Sequence, residues 1–138
     1  MHNKHIFVGG KDDIFLVQAD ARVGWHVQRE AEVEDQGFFL LPQPMGFYAL
    51  GEVVSEPIFD DNSHTKYSSF VNVLLILKRN VELKTVQQKF DDWAAIQHPT
   101  IWNHSIIIKS VFDFNRLYSY ICNEQGYGGD SELRRLIR

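Results

Sequence analysis

The chain holds a single cysteine, Cys122, among 138 residues, which excludes an internal disulfide and any cysteine-rich zinc site. Its uninterrupted apolar stretches are short, Val73-Leu74-Leu75-Ile76-Leu77 being typical, against the ~18 apolar residues that a membrane-spanning helix needs. Met1-His2-Asn3-Lys4-His5 is not followed by an apolar signal core with a small-residue cleavage site, so a cytoplasmic protein is expected. There is no excess of positive charge: 14 basic residues stand against 18 acidic ones, a net charge of −4, unlike a strongly basic nucleic-acid binder. The sequence has no GxGxxG, no GxxxxGK[ST], no HExxH and no GxSxG. Dinucleotide, P-loop, zinc-protease and serine-elbow chemistry therefore lack a motif. Of the six histidines only His2 and His5 fall close together, at the chain start, so neither a metal nor a cofactor is expected. The carboxylate pairs Asp12-Asp13, Asp60-Asp61 and Asp91-Asp92 read as solvated turns and helix starts. Cys122 falls on an apolar helical stripe, where a cysteine behaves as a small hydrophobe.

What is present is an ordinary globular composition, 44% hydrophobic and 23% charged, at a length that fits one domain with a substantial core. The charge is uneven along the chain. Residues 1–61 carry four basic and eleven acidic groups, residues 62–116 seven basic and four acidic, and residues 117–138 three of each. The basic middle segment is either an ordinary solvated face or a phosphate-facing surface on an acidic body.

Local patterning gives the elements. His5–Val8 reads as a strand stopped by Gly9-Gly10. Ile14–Val17 is a second apolar run, either a strand or a helix start. Val23, Val27 and Ala31 repeat at a spacing of four, which suits a helix over 20–34 with Asp20 as its cap. Phe38–Leu41 and Phe47–Glu56 form two strands joined by Pro42-Gln43-Pro44-Met45-Gly46, an antiparallel hairpin, and Gly51 suggests a bulge that bends the sheet. Phe59–Ser69 is a polar loop. Phe70–Leu77 is the strongest strand signal. Val86, Phe90 and Trp93 make a helical stripe over 81–96, closed by His98-Pro99. Ser105–Lys109 is a strand. Phe114, Leu117, Tyr118 and Ile121 form an amphipathic helix that starts near Asp113. Gly126-Tyr127-Gly128-Gly129 is a hinge, and residues 130–138 begin a further helix or a linker toward another domain. The mixture predicts an α+β fold with a small, curved, partly antiparallel sheet, over residues 1–124, followed by the segment 125–138.

Aromatic residues are plentiful, at 13%. Most sit on core stripes. Trp25 beside Gly24, Tyr67 in the polar loop, and Trp102-Asn103 ahead of a strand do not, and an aromatic outside the periodic pattern can serve as a stacking platform.

The segment Val33-Glu34-Asp35-Gln36-Gly37-Phe38-Phe39-Leu40, followed by Gly46-Phe47-Tyr48-Ala49-Leu50-Gly51-Glu52-Val53-Val54-Ser55-Glu56-Pro57, resembles the EVE-domain branch of the PUA-like superfamily. The order of Phe70–Leu77, Val81–Ile96, Trp102–Ile108 and the helix at 113–121 fits the same layout, and the resemblance spans roughly residues 5–122. The related YTH domains are echoed by Ile6-Phe7-Val8 and Lys11-Asp12-Asp13. The sequence departs from the pattern at Asp35-Gln36-Gly37, where the family has Gly-Asp, and in a shortened loop that carries Tyr67 in place of a tryptophan.

The resemblance implies a PUA-like pseudo-barrel of five to six mostly antiparallel strands with flanking helices, which reads a modified, methylated base flipped into a hollow of the curled sheet. Such domains serve as specificity modules of modification-dependent restriction systems, linked to a nuclease or NTPase. By position in that layout, Trp25, Tyr67 and Trp102 are the expected aromatic walls, and Asp12 and Asn103 the polar groups on the base edge. Lys66, Lys78, Arg79 and Lys109 are the expected phosphate contacts. DNA is expected over RNA, with no membrane partner and no catalysis. Two other classes remain open. One is a nucleoside hydrolase like those of the ASCH branch, for which Lys66, Thr65 and Glu52 are present at a spacing that does not match. The other is a domain that binds a small ligand or a protein.

Overall fold

The computed structural model describes residues 2–42, 44–97, 104–126 and 129–138. It is an α+β domain built on one curled sheet of seven strands. In chain order these are β1 (Lys4–Val8), β2 (Arg22–His26), β3 (Gln36–Leu41), β4 (Gly46–Val53), β5 (Ile58–Phe59), β6 (Tyr67–Glu82) and β7 (Ile106–Ile108). The helices are α1 (Leu83–Lys89), α2 (Ala94–Gln97), α3 (Val111–Gln125) and α4 (Gly129–Leu136), with a 3-10 turn at Asp13–Phe15. The spatial order is β2-β6-β4-β3-β1-β7, with β5 added to β6. Among the described residues only the β1–β3 pair is parallel.

The sixteen-residue β6 is the spine: it pairs with β5 and β2 near its start and with β4 along the rest. Its ladder with β4 slips twice, once between Phe47 and Ala49 and once between Leu50 and Gly51. Each slip adds twist, and the Phe39 ring lies where a side chain on Gly51 would project. The bend expected at Gly51 is therefore where the sheet curls.

Curling gives the sheet an inner and an outer face, and alternation sorts the side chains between them. Ile6, Val8, Phe38 and Leu40 face outward onto Val86, Ile96, Phe114, Leu117, Ile121 and Leu133 of the helices. Phe7, Phe39, Leu41, Ala49, Val53, Val71, Val73, Val23 and Trp25 face inward. These inward side chains pack on one another as the second part of the core. Cys122 is buried, as its position on the helical stripe predicts.

Several elements differ from the sequence reading; the loop expected over Phe59–Ser69, for one, gives Phe59 to β5 and Tyr67–Ser69 to β6. Residues 22–26 are a strand, not a helix. Val23 and Trp25 alternate inward with Gly24 and His26 facing out, and pairing with residues 68–72 of β6 satisfies the backbone. The helical stripe over 81–96 breaks at Phe90 (φ −117°, ψ 59°) into α1 and α2. The stop at His98-Pro99 and part of the glycine hinge lie outside the described residues. Helix α4 docks onto α3 and β6. The Gln36 side chain donates to Leu136 O (2.9 Å) and accepts from Arg138 N–H (2.9 Å), which fixes residues 129–138 to the body of the domain.

Candidate functional site

The turn after β1 packs against Trp25 of β2. Gly9 N–H closes on Leu40 O at 3.0 Å. A Cβ on Gly9 would lie within 3 Å of Leu41 Cδ2, Trp25 Cζ2 and Asp13 Oδ2, so glycine lets the turn press onto the Trp25 ring. Asp13 is fixed by accepting from Gly10 N–H. Trp25 is 5% exposed; its Nε1–H donates to Val8 O (3.2 Å) and its ring meets Phe39 edge-on.

His26, the last residue of β2, is half-buried. Its ring lies nearly parallel to Trp25 (centroids 6.3 Å, 21°) and edge-on to His64 (5.8 Å, 74°). Its Nδ1 accepts from Ser105 N–H at 3.4 Å. Burial, foremost, holds the His26 pKa below the usual imidazole value; a hydrogen bond with the Val8 backbone and the Asp13 carboxylate oppose this, and His64 and His104 reinforce it. The ring is therefore neutral at pH 7.

Beside the end of β2 stands the β5–β6 hairpin. Asp60 accepts from Asn62 N–H and from the Ser68 hydroxyl, Ser63 donates to Tyr67 O, and Thr65 donates to Val27 O. Lys66 closes the loop in the left-handed region (φ 68°), a conformation that costs a non-glycine residue about 1 kcal/mol or more. Between the end of β2 and this hairpin lies a cleft of about 380 Å³ bordered by Gly24, Trp25, His26, Asp60, Asn62, Ser63, His64 and Ser68. It offers imidazole faces, hydroxyls, a carboxamide and a carboxylate. Among the described residues no group of histidine, cysteine or carboxylate side chains could hold a metal ion.

The site residues expected from the sequence are dispersed. Trp25 borders the cleft, but its ring is spent mainly on the inner core. Tyr67 is half-buried against that core, edge-on to Phe59 at 6.0 Å, and does not border the cleft. Asp12 is exposed on the β1 turn, next to Asp13. Trp102 and Asn103 lie outside the described residues. Lys66 is on the hairpin, paired with Asp61 at 3.3 Å. Lys78 and Arg79 are exposed ten or more positions along β6 from Ser68, roughly 30 Å at the usual strand rise. Lys109 follows β7 and borders a different groove, with Lys4 and Phe114. The set considered for hydrolysis is not assembled: Glu52 pairs with Arg138 (3.2 Å), Lys66 with Asp61, and Thr65 with a backbone carbonyl. His26 and His64 were missed from sequence because 38 positions separate them; the one available signal was that His26 directly follows Trp25.

No family model and no curated protein matches this chain. Solved structures do. The crystal structure of human THYN1 protein in complex with DNA containing 5-methylcytosine superposes with a TM-score of 0.62 at 11% identity, covering 86% of this chain and 97% of that one. A protein from Pseudomonas syringae gives 0.69 at 13% identity, covering 86% and 99%. One from Agrobacterium tumefaciens gives 0.67 at 12% identity, covering 90% and 93%. At such identities the likeness speaks for architecture, and it agrees with the resemblance carried by residues 33–57: the chain has the EVE-type, PUA-like fold.

Proposed function

We propose that this domain is a nucleic-acid-binding module that takes a modified base, displaced from its strand, into the cleft between the end of β2 and the β5–β6 hairpin. One observation carries the reading. A space of about 380 Å³ is bordered by the His26 and His64 rings and by the polar groups of Asp60, Asn62, Ser63 and Ser68. Planar rings with fixed donors and acceptors beside them suit a flat heterocycle with a pairing edge. That human THYN1 protein, of the same fold, was solved with DNA containing 5-methylcytosine makes this base the first probe.

The energetics limit what the cleft must do. Extrusion costs a few kcal/mol, and stacking returns ~1–3 kcal/mol per base. Burying one methyl group adds ~0.8 kcal/mol, only about fourfold in affinity. Stronger preference needs polar groups that the wrong base leaves unpaired, or a modification that weakens the pairing to be broken.

The test is a fluorescence-anisotropy titration with duplexes that carry 5-methylcytosine, N6-methyladenine or no modification. One methylated duplex should bind at least about tenfold tighter than the unmodified one, and His26→Ala should reduce that preference. Equal, weak binding to all three would overturn the reading.

A further inference from the structure

The cleft does not end at its polar border. Gly24 and Ser68 also border a second groove, of about 210 Å³, whose other walls are Ser55, Glu56, Ile58, Ser69 and Phe70. Its apolar members are unusually open for a domain with a full core: Ile58 is 67% exposed and Phe70 52%. Both lie on the outer face of the β5–β6–β2 edge, where Phe70 is directly opposite Gly24 in the ladder and Ile58 opposite Ser68.

The Phe70–Gly24 pair decides what this groove is. An aromatic ring opposite a strand glycine ordinarily folds over it and covers its backbone. Here a Cβ on Gly24 would meet nothing within 4 Å, so the Phe70 ring leaves its partner uncovered. Nor does Gly24 answer a steric demand: its φ is not in the left-handed region and no neighbour presses on it. A strand glycine with neither reason weakens the sheet without structural return. What it does is keep a low saddle between the polar cleft and the aromatic groove.

We infer that the Phe70–Ile58 groove is a second base subsite, which stacks the nucleobase next to the one in the polar cleft, with the strand crossing the saddle at Gly24. The inference rests on the reading of the polar cleft given above. A planar, sequence-tolerant π surface beside a polar pocket suits a flanking base, because every base has a face to stack. The domain then engages two successive nucleotides, the first through its edge and the second through its face.

The test uses short single-stranded oligonucleotides carrying the methylated base that the duplex titration selects. In one series the 5′ neighbour is abasic; in another, the 3′ neighbour. The wild-type chain should lose about tenfold in affinity when the neighbour on one side is removed. Phe70→Ala should lose the same factor on the intact oligonucleotide and nothing more on the abasic one, the non-additivity expected of a direct contact. Gly24→Val, whose side chain has room in the fold, should lose at least as much while its melting temperature does not fall. Three results would overturn the inference with the base reading intact: Phe70→Ala binding like the wild type, additive losses from Phe70→Ala and the abasic site, or self-association in sedimentation that Phe70→Ala abolishes. A wild-type chain that prefers no methylated oligonucleotide would instead remove the base reading, and this inference with it.

Discussion

Asp35 accepts four hydrogen bonds while fully buried: from Asn3 N–H (2.9 Å), Asn3 Nδ2 (3.1 Å), His5 Nε2 (2.8 Å) and Glu32 N–H (2.9 Å). Burial alone would push its pKa up; the hydrogen bonds from His5, Glu32 and Asn3 outweigh burial and hold it below the usual carboxylate value. Because the folded value lies below the unfolded one, the contribution is complete above about pH 4 and is lost as pH falls through the folded value. Asp35→Ala strands four donors and should cost about 3 kcal/mol in urea unfolding. His26 acts with the same sign in a higher pH window. Its folded pKa is depressed, so the unfolded chain takes up the proton first, and stability drops as pH falls below about 6.5 until the folded value is reached. His26→Gln should flatten the denaturation midpoint between about pH 7 and pH 5. An unchanged slope would mean that another group carries it.

At the scale of elements, α3 begins at Ser110, whose hydroxyl accepts from Asp113 N–H at 3.2 Å. Ser110→Ala should lower stability by about 1 kcal/mol. Gly51→Ala would place a Cβ 2.5 Å from the Phe39 ring and 2.9 Å from Val71. It should cost about 1–3 kcal/mol, and calorimetry would register both changes. The elements legible in the sequence were those with one consistent pattern. Phe38–Leu41 is buried on both faces, and Phe114, Leu117 and Ile121 lie on one helical stripe. Residues 22–26 were not legible because Val23, Val27 and Ala31 fit a helix while Val23 and Trp25 fit a strand. Only the distant partner at 68–72 decides between them. The site was less legible still. Trp25 looks free in sequence because it adjoins a glycine, yet a different glycine, Gly9, buries it. The His26–His64 pair exists only once β2 lies beside β6.

At the scale of the whole molecule, the charge beside the cleft is acidic: Asp60 borders it and Asp61 follows on the same hairpin. Lys66 is already paired with Asp61, and Lys78, Arg79 and Lys109 lie elsewhere. The basic bias of residues 62–116 therefore does not gather into one phosphate track at the cleft. Affinity should rest on base contacts, and log K against log salt should have a shallow slope, of magnitude under about 3. A steep slope would point to a backbone-tracking surface away from the cleft. Leu133 of α4 is fully buried in the outer core, so Leu133→Ala should cost about 3 kcal/mol, with the loss appearing in the global unfolding transition. The central claim is most directly tested by amide and indole chemical-shift mapping during titration with an oligonucleotide that carries the preferred methylated base. Perturbations should centre on Gly24, the Trp25 indole, His26, His64 and Ser68. Shifts confined to the Lys4–Phe114–Lys109 groove, or to the Lys78–Arg79 stretch of β6, would contradict it.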